Sequence, residues 1–372
     1  MLRRSSLLLC SLILFGASAH AQFEYSTKTL LEGYSLELFE QNADGYMSPL
    51  VIVTNVGAND GFFNSAIVPK EDKLHFKFSV KSMMAWVKDD QRSYIATLPT
   101  VIQPDDGIEE RLFKVALQEA IAQGEVDQNI ETATVFGNQG TDFQMPKEFI
   151  RSLGSFPDST IDDLPDYIPL TRGTNQDFVV AAVPQLEIGT WKSTQLLVRY
   201  VPPVEFDTAV GDFSFVGVGL KHGFTNWLKN PPFHGAIQIT YQHSTIKNFI
   251  GATQAALEAT TDMFAVNLHA SKRFGYVEPY IGLSYEQLTS EGTYTFTLPK
   301  RLSDELGYDI DPQTAYVDLK DNAIKATIGL TAHLDPVELN VGAGISKHII
   351  LGIGLGVNFD APDWMQPFDS KD

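Results

Sequence analysis

The segment Leu351-Gly-Ile-Gly-Leu-Gly-Val-Asn-Phe359 decides the fold of this 372-residue chain. Large apolar side chains alternate with glycine or asparagine, and because successive side chains of a strand point to opposite faces, one face is apolar and the other nearly bare. A small or polar second face is typical of the lumen side of a transmembrane β-barrel. We therefore predict that this segment is the closing strand of an outer-membrane barrel, followed by an acidic C-terminal tail at 361–372.

The same alternation recurs from Asp177 onward in segments of about ten residues, which is the expected repeat of such a barrel. Including the closing strand, the predicted strands number eleven: Leu74–Lys81, Ser93–Thr100, Phe178–Ile188, Thr194–Val201, Phe213–His222, Gly235–His243, Phe264–Lys272, Val277–Gln287, Ala323–Leu334 and Val337–Ser346 precede it. An odd number would leave the two ends of the barrel on opposite sides of the membrane. Ile130 to Phe136 and Thr293 to Leu298 are candidates for a further strand. We predict an all-β, antiparallel transmembrane barrel of about twelve strands, within a range of ten to fourteen.

Loop lengths predict the orientation of the barrel, because outer-membrane barrels have short periplasmic turns and long outer loops. The short connections at Phe274-Gly275 and Asp335-Pro336 then lie on the periplasmic side, and the long ones at Thr245 to Thr261 and Thr289 to Asn322 lie outside. A soluble β-sandwich also shows short alternating strands. The bare second faces and the many glycines within strands favour the membrane barrel.

Three aromatic residues fall near predicted periplasmic turns, and they are Trp191, Trp227 and Tyr276. Aromatic side chains at this level are typical of the girdle that borders the apolar band of a barrel. Ordinary packing is the alternative interpretation.

The first 21 residues have the pattern of a secretory signal peptide. Arg3 and Arg4 precede an apolar run from Leu7 to Phe15, and Ala19-His-Ala21 forms a small-residue cleavage site. We predict cleavage before Gln22 and export to the outer membrane of a Gram-negative cell. The single cysteine, Cys10, lies in the removed segment, so no disulfide or thiol chemistry is predicted.

Residues 22–70 are predicted to form an N-terminal helical segment. Leu30, Tyr34 and Leu38 recur at helical spacing, and the turn signals in Asn42-Ala-Asp44-Gly45 predict the end of the helix. The segment could fill the barrel as a plug or pack on its periplasmic rim, and the sequence leaves both open.

The barrel domain is predicted at 71–360, with a long loop at 101–176. Asp106-Gly-Ile-Glu109 predicts a capping box at the start of a helix inside this loop, and Gly124 predicts the end of that helix. The rest of the loop is irregular and acidic, as is common for segments with a function of their own or with disorder.

Charge excludes one class of partner. The formal charge is −19, and it becomes −21 once Arg3 and Arg4 are removed with the signal peptide. Such an acidic surface repels phosphate backbones, so no nucleic-acid partner is predicted. The predicted partners are outer-membrane lipid and a small-molecule solute.

The candidate site is the predicted lumen lining. Alternation places five basic and two acidic side chains on the inner face: Lys77, Lys81, Arg199, Lys221, Lys325, Glu286 and Glu338. Basic groups confined in a passage concentrate positive potential and favour anionic or amphipathic, carboxylate-bearing solutes. The alternative is that these side chains pair with Glu286, Glu338 or the acidic loops and hold a closed barrel together.

No catalytic, cofactor or metal site is predicted. The spacings of a zinc protease, a nucleophile elbow and a phosphate-binding loop do not occur in the sequence. His243-Ser244 and His269 could be imagined in an acyl-transfer arrangement, but we interpret them as polar lumen residues. The predicted function is a non-enzymatic passive channel or binding barrel for a small solute. The alternative is a structural or surface-interaction barrel with a closed lumen.

Several motifs resemble an uncharacterised family of exported outer-membrane barrels of the Bacteroidetes kind, a domain of unknown function. They are Gly61-Phe-Phe-Asn-Ser-Ala66, Val183-Pro-Gln-Leu-Glu-Ile-Gly189, Thr194-Gln-Leu-Leu-Val-Arg-Tyr-Val-Pro202 and Gly211-Asp-Phe-Ser-Phe-Val-Gly-Val-Gly-Leu-Lys-His222. The resemblance implies location and fold but no substrate. The architecture is also distantly similar to fatty-acid-type outer-membrane transporters, in which a hatch fills the barrel, although likeness of fold does not assign function.

Overall fold

The computed structural model describes residues 5–69, 73–207, 211–250, 255–296, 303–304, 306–307, 311–362, 364 and 366, with the side chains of the first helix described from Thr27 onward. In chain order the elements are α1 (Ser5–Ala58), β1 (His75–Trp86), β2 (Ser93–Thr97), α2 (Ile108–Gln123), β3 (Asn129–Ala133), β4 (Asp142–Gln144), α3 (Lys147–Leu153), α4 (Asp158–Asp162), β5 (Tyr167–Pro169), β6 (Phe178–Trp191), β7 (Thr194–Asp207), β8 (Gly211–His222), β9 (His234–Ile250), β10 (Ala255–Ser271), β11 (Val277–Phe296), β12 (Gln313–Leu334), β13 (Val337–Ile345) and β14 (Ile349–Asp360).

Ten of these strands close into an antiparallel barrel within the described residues. Strands β6 to β14 pair in sequence order, and β1 closes the ring by pairing with both β6 and β14. At the seam Phe76 lies opposite Ile188 on one side and Phe359 on the other. The predicted all-β barrel and its closing strand are confirmed, and the favoured count of twelve is replaced by ten.

The surplus strand in the prediction is Ser93–Thr100. In the structure this segment contains β2, which pairs with β3 in a separate two-stranded sheet. Because β3 includes the start of Ile130 to Phe136, that candidate segment adds no barrel strand either. The physical reason is length, because five residues cannot cross a membrane that requires about nine to eleven residues per strand. Thr293 belongs to β11, and Leu298 lies outside the described residues.

The strands from β9 to β12 are longer than predicted. They contain 17, 17, 20 and 22 residues, and much of the predicted outer loops Thr245–Thr261 and Thr289–Asn322 is strand. The outward face becomes polar there, for example at His243 and Lys247, so the apolar alternation ends before the strand does. These strands extend beyond the apolar band of the barrel.

The two ends of the barrel differ. At the end called here the turn end, the connections are residues 192–193, 223–233, 272–276 and 335–336. Trp191, Trp227 and Tyr276 lie there with 55%, 75% and 74% of their surface exposed, as expected of an aromatic girdle. At the opposite end, the connection from β1 to β6 spans residues 87–177 and folds into a unit called here the cap.

The cap contains α2 to α4 and the two small sheets β2–β3 and β4–β5. Helix α2 ends at Gly124, whose φ of 78° suits glycine, as predicted. The predicted capping box is wrong, because the N-cap residue is Gly107 and it makes no side-chain cap. Asp106, the expected cap, instead accepts hydrogen bonds from Lys114 and from the Gln103 N–H.

Helix α1 continues through Asp44-Gly45 and ends only at Ala58, so the predicted helix end is wrong. Tertiary contacts override the local turn signals. Asn42 donates to Thr97 O at 3.0 Å and accepts from Thr97 N at 2.8 Å. A Cβ on Gly45 would lie 2.4 Å from Tyr94 Cδ2, so this glycine permits close approach to the cap. None of the helices in the described residues combines the length and apolar character needed to cross a bilayer.

Candidate functional site

Residues 27–69 run along the barrel interior from the cap to the turn end, and we call them the plug. Near the cap Tyr34 packs edge-on against Phe113 at 4.9 Å between ring centroids. Farther along, Asn55 donates to Thr261 Oγ1 at 3.3 Å. At the turn end Asn226 Nδ2 donates to the carbonyl of Val68 at 2.8 Å. Of the two predicted positions, plug and rim, the structure has the plug.

The inner wall changes character along the barrel axis. Near the cap its buried side chains are apolar, including Phe213, Phe215, Ile246, Leu257, Val317 and Leu319, and they share one hydrophobic core with α1 and the cap. Toward the turn end most of the buried inner side chains are polar or charged. The plug is therefore held by apolar packing at one end and by polar contacts at the other.

The central polar contact joins the plug to two strands. Lys325 Nζ lies 2.9 Å from Asp60 Oδ1 and 2.7 Å from Glu286 Oε1. Asn59 Nδ2 donates to the same Glu286 oxygen at 2.7 Å, and Asn59 Oδ1 accepts from Gln242. All five side chains are buried. A plug carboxylate thus joins the wall ion pair of Lys325 and Glu286 in one buried cluster.

Arg199 binds the end of helix α1. Its Nη1 donates to the carbonyl of Ala58 at 3.0 Å and its Nε donates to Gln185 Oε1 at 2.8 Å. Its guanidinium lies 3.6 Å from the centroid of the Phe62 ring, which is close enough for a cation–π contact. A cation at a helix C-terminus also interacts favourably with the helix dipole.

Two glycines on the inner wall permit close approach of neighbouring side chains. A Cβ on Gly282 would lie 2.5 Å from Phe63 Cζ, and one on Gly354 would lie 2.0 Å from Asn340 Oδ1. Asn340 Oδ1 accepts from Lys81 Nζ at 2.8 Å. The bare face of the closing strand therefore accommodates a buried lysine and its amide partner.

A second charged cluster lies toward the turn end. Lys77 Nζ is 2.9 Å from Glu338 Oε2 and 3.4 Å from Glu187 Oε1, and it donates to Asn64 Oδ1 of the plug at 3.1 Å. Lys221 Nζ lies 3.0 Å from the other oxygen of Glu187. The wall charges thus alternate in sign, with a plug amide between them.

The structure places all seven predicted lining residues in the barrel interior, and each of their side chains is buried. It brings Lys325 together with Glu286 and Lys77 with Glu338, while Lys81 and Arg199 bind amide and carbonyl oxygens. Sequence reasoning missed Glu187, although alternation with Leu186 and Ile188 would have placed it on the inner face of β6. It also missed Asp60, for which no local signal exists.

The imagined acyl-transfer arrangement is not formed. His243 faces outward and its Nδ1 lies 2.9 Å from Asp262 Oδ1, whereas Ser244 faces inward and donates to Asn55 Oδ1 at 2.5 Å. His269 stacks on Phe63 inside the barrel, with 4.3 Å between ring centroids. The interpretation of His243 as a lumen residue is wrong, because strand alternation puts it on the opposite face from Ser244.

A cation site between the plug and the cap is filled by a lysine of the chain itself. Oxygens of Glu37, Asp106 and Glu110 lie within 4.8 Å of one another, a geometry that could hold a metal ion. Lys114 Nζ lies among them, at 2.5, 2.8 and 3.4 Å respectively. Burial alone would lower the pKa of Lys114, but its hydrogen bonds to Asp106 and Glu37 raise it above the usual value.

A cavity of about 450 Å³ lies at the turn end and is called here the vestibule. Plug residues Ser65 and Ile67 form part of its lining, and its buried charged side chains include Lys77, Lys221, Glu187, Glu278 and Glu338. The size is that of a typical small-ligand pocket.

The closed strand order, the apolar outer face and the polar interior define an outer-membrane-type β-barrel that contains its own N-terminal segment. The chain belongs to a family of unknown function, DUF6588, whose model matches residues 2–359. The predicted resemblance to an uncharacterised family is confirmed.

Two solved structures are similar to this chain. The translocator domain of the autotransporter NalP from Neisseria meningitidis has 9% sequence identity and a TM-score of 0.25, with 86% of this chain and 96% of that chain covered. OpdQ from Pseudomonas aeruginosa has 7% identity and a TM-score of 0.14, with 80% and 99% covered. The curated proteins contain no match.

Proposed function

We propose that the protein is a non-enzymatic outer-membrane channel that its own plug holds closed at rest, and that release of the plug admits a small solute. The buried cluster of Asp60, Lys325 and Glu286 carries this proposal. A permanent closure needs only apolar packing, whereas buried ion pairs are sensitive to the loss of a single partner. The polar half of the lumen is thus the part that can open.

In this proposal the turn end faces the periplasm, because the long 87–177 connection lies at the opposite end and outer-membrane barrels have their long loops outside. The plug joins β1 at the turn end, so its N-terminal end would lie at the cell surface, and the mature chain would begin close by at Gln22. The solute would be anionic or carboxylate-bearing. If the plug leaves, Asp60 leaves with it. The middle of the barrel wall then keeps one acidic side chain, Glu286, and three basic ones, Lys81, Arg199 and Lys325.

Cysteine labelling tests the orientation. Gln41 is exposed on the plug at the cap end, and Lys229 is exposed in a turn-end connection. We expect Gln41→Cys to react with a membrane-impermeant maleimide on intact cells, and Lys229→Cys to react only after the outer membrane is permeabilised. The reverse pattern would contradict the proposed orientation.

Single-channel recording in planar bilayers tests the gate. We expect the wild-type protein to stay closed and the Asn59→Ala, Asp60→Ala double variant to open frequently with anion preference, because both plug contacts to the wall cluster are removed. Asp262→Ala is the matched control, since this acid is on the outer face and should leave the channel closed. If the double variant is folded and stays closed, the channel proposal fails.

The second candidate is a surface-interaction barrel with a permanently closed lumen. The cap favours it, because residues 88–177 contain seventeen acidic and seven basic residues, a formal charge of −10. The cap also shares a hydrophobic core with α1. Loss of surface binding on deleting residues 125–176, with unchanged permeability, would support this candidate.

A further inference from the structure

We propose that the vestibule binds a small zwitterionic solute that carries both an amino group and a carboxylate. The proposal does not depend on gating, because the vestibule opens to solvent with the plug in place. Its rim contains exposed side chains, including those of Asp335 and Asp360, which are 82% and 64% exposed.

One wall of the vestibule presents carboxylates. His333 lies between two of them, with Nε2 at 2.7 Å from Glu278 Oε2 and Nδ1 at 3.1 Å from Glu338 Oε1. Glu278 is fully buried, and its Oε1 has no hydrogen-bond partner in the described part of the chain. An unsatisfied buried carboxylate oxygen is costly, and an ammonium group would satisfy it.

The opposite wall presents a lysine with unused donors. Lys221 is 3% exposed, and among the described residues its one hydrogen-bond acceptor is Glu187 Oε2, at 3.0 Å. An ammonium group has three donors, so two remain available for a carboxylate. Lys77 differs because Glu187, Glu338 and Asn64 already accept from it or pair with it.

The charges of the vestibule lining favour a zwitterion over a solute of a single sign. The buried ionisable residues of the lining are two lysines and three glutamates, with His333 between two of the acids. A simple anion would meet the carboxylates of Glu187, Glu278 and Glu338, whereas a simple cation would leave the donors of Lys221 unused. A zwitterion satisfies Glu278 and Lys221 together.

Calorimetric titration of the purified full-length protein tests the proposal, with 6-aminohexanoate as the probe and hexanoate and hexylamine as matched single-charge analogues. We expect both analogues to bind at least about tenfold more weakly, because each loses one charge-assisted hydrogen bond. Lys221→Met and Glu278→Gln should each weaken probe binding by a similar factor, and Lys229→Met, outside the lining, should not.

The wild-type comparison keeps the test decisive if a variant fails to fold. No binding of 6-aminohexanoate, or equal affinity for the probe and for either analogue, would overturn the proposal. Neither result bears on the conductance of the plug variants, so the vestibule and the gate are tested separately.

Discussion

Replacing Lys325 with methionine should lower the free energy of unfolding by about 3 to 5 kcal/mol, the usual cost of removing one partner of a buried ion pair. The variant leaves Asp60 and Glu286 buried beside each other without the ammonium group that lies 2.9 and 2.7 Å from them. Denaturant unfolding in detergent, followed by tryptophan fluorescence, measures the change.

Lys320 on the same strand is the matched control. Its side chain is 70% exposed and pairs only loosely with Asp318, at 3.3 Å, within the described residues. Because exposed ion pairs contribute little, Lys320→Met should change the unfolding free energy by less than about 1 kcal/mol. Equal effects of the two variants would show that the central cluster does not stabilise the plugged state.

The Lys325 variant should also raise conductance, because the lost cation holds the plug and the wall together. Conductance distinguishes a loosened plug from an unfolded barrel, because an unfolded barrel conducts nothing and a barrel with a loosened plug conducts in bursts. A stable, silent Lys325→Met protein would favour the surface-interaction barrel over the channel.

The alternation of side chains along each strand predicts most of the barrel from the sequence. A repeat of two residues predicts which side chains of a strand share a face. For Leu351 to Phe359 this prediction requires no knowledge of the neighbouring strands. It could not predict the partner of Lys325 on the plug, because Asp60 is distant in sequence and sits in what reads locally as a turn. Ion pairs across a barrel depend on closure and on the path of the plug.

The predicted length of helix α1 is too short for a related reason. Local signals at Asp44-Gly45 predict a helix end, and the contacts of Asn42 and Gly45 with the cap outweigh them. Likewise, β2 reads as a barrel strand until its pairing with β3 is known. Such non-local contacts leave no trace in the periodicity of either segment.

Replacing Lys114 with methionine should destabilise the cap by about 3 to 5 kcal/mol, because three carboxylates then face one another without a cation. Burial alone would raise the pKa of Asp106, but the hydrogen bonds from Lys114 and the Gln103 N–H hold it below its usual value, and the variant removes the contribution of Lys114. Limited proteolysis of residues 87–177 measures the loss.

Calcium distinguishes the loss of charge balance from a loss of packing. Carboxylate oxygens are the ligands that Ca²⁺ prefers, and those of Glu37, Asp106 and Glu110 already lie within 4.8 Å of one another. We therefore expect millimolar Ca²⁺ to protect the Lys114→Met cap and to leave the wild type unchanged, since its lysine holds that place. Lys147→Met, whose partner Asp166 is 83% exposed, is the control and should show neither effect. A variant as resistant as the wild type without Ca²⁺ would mean that apolar packing alone holds the cap.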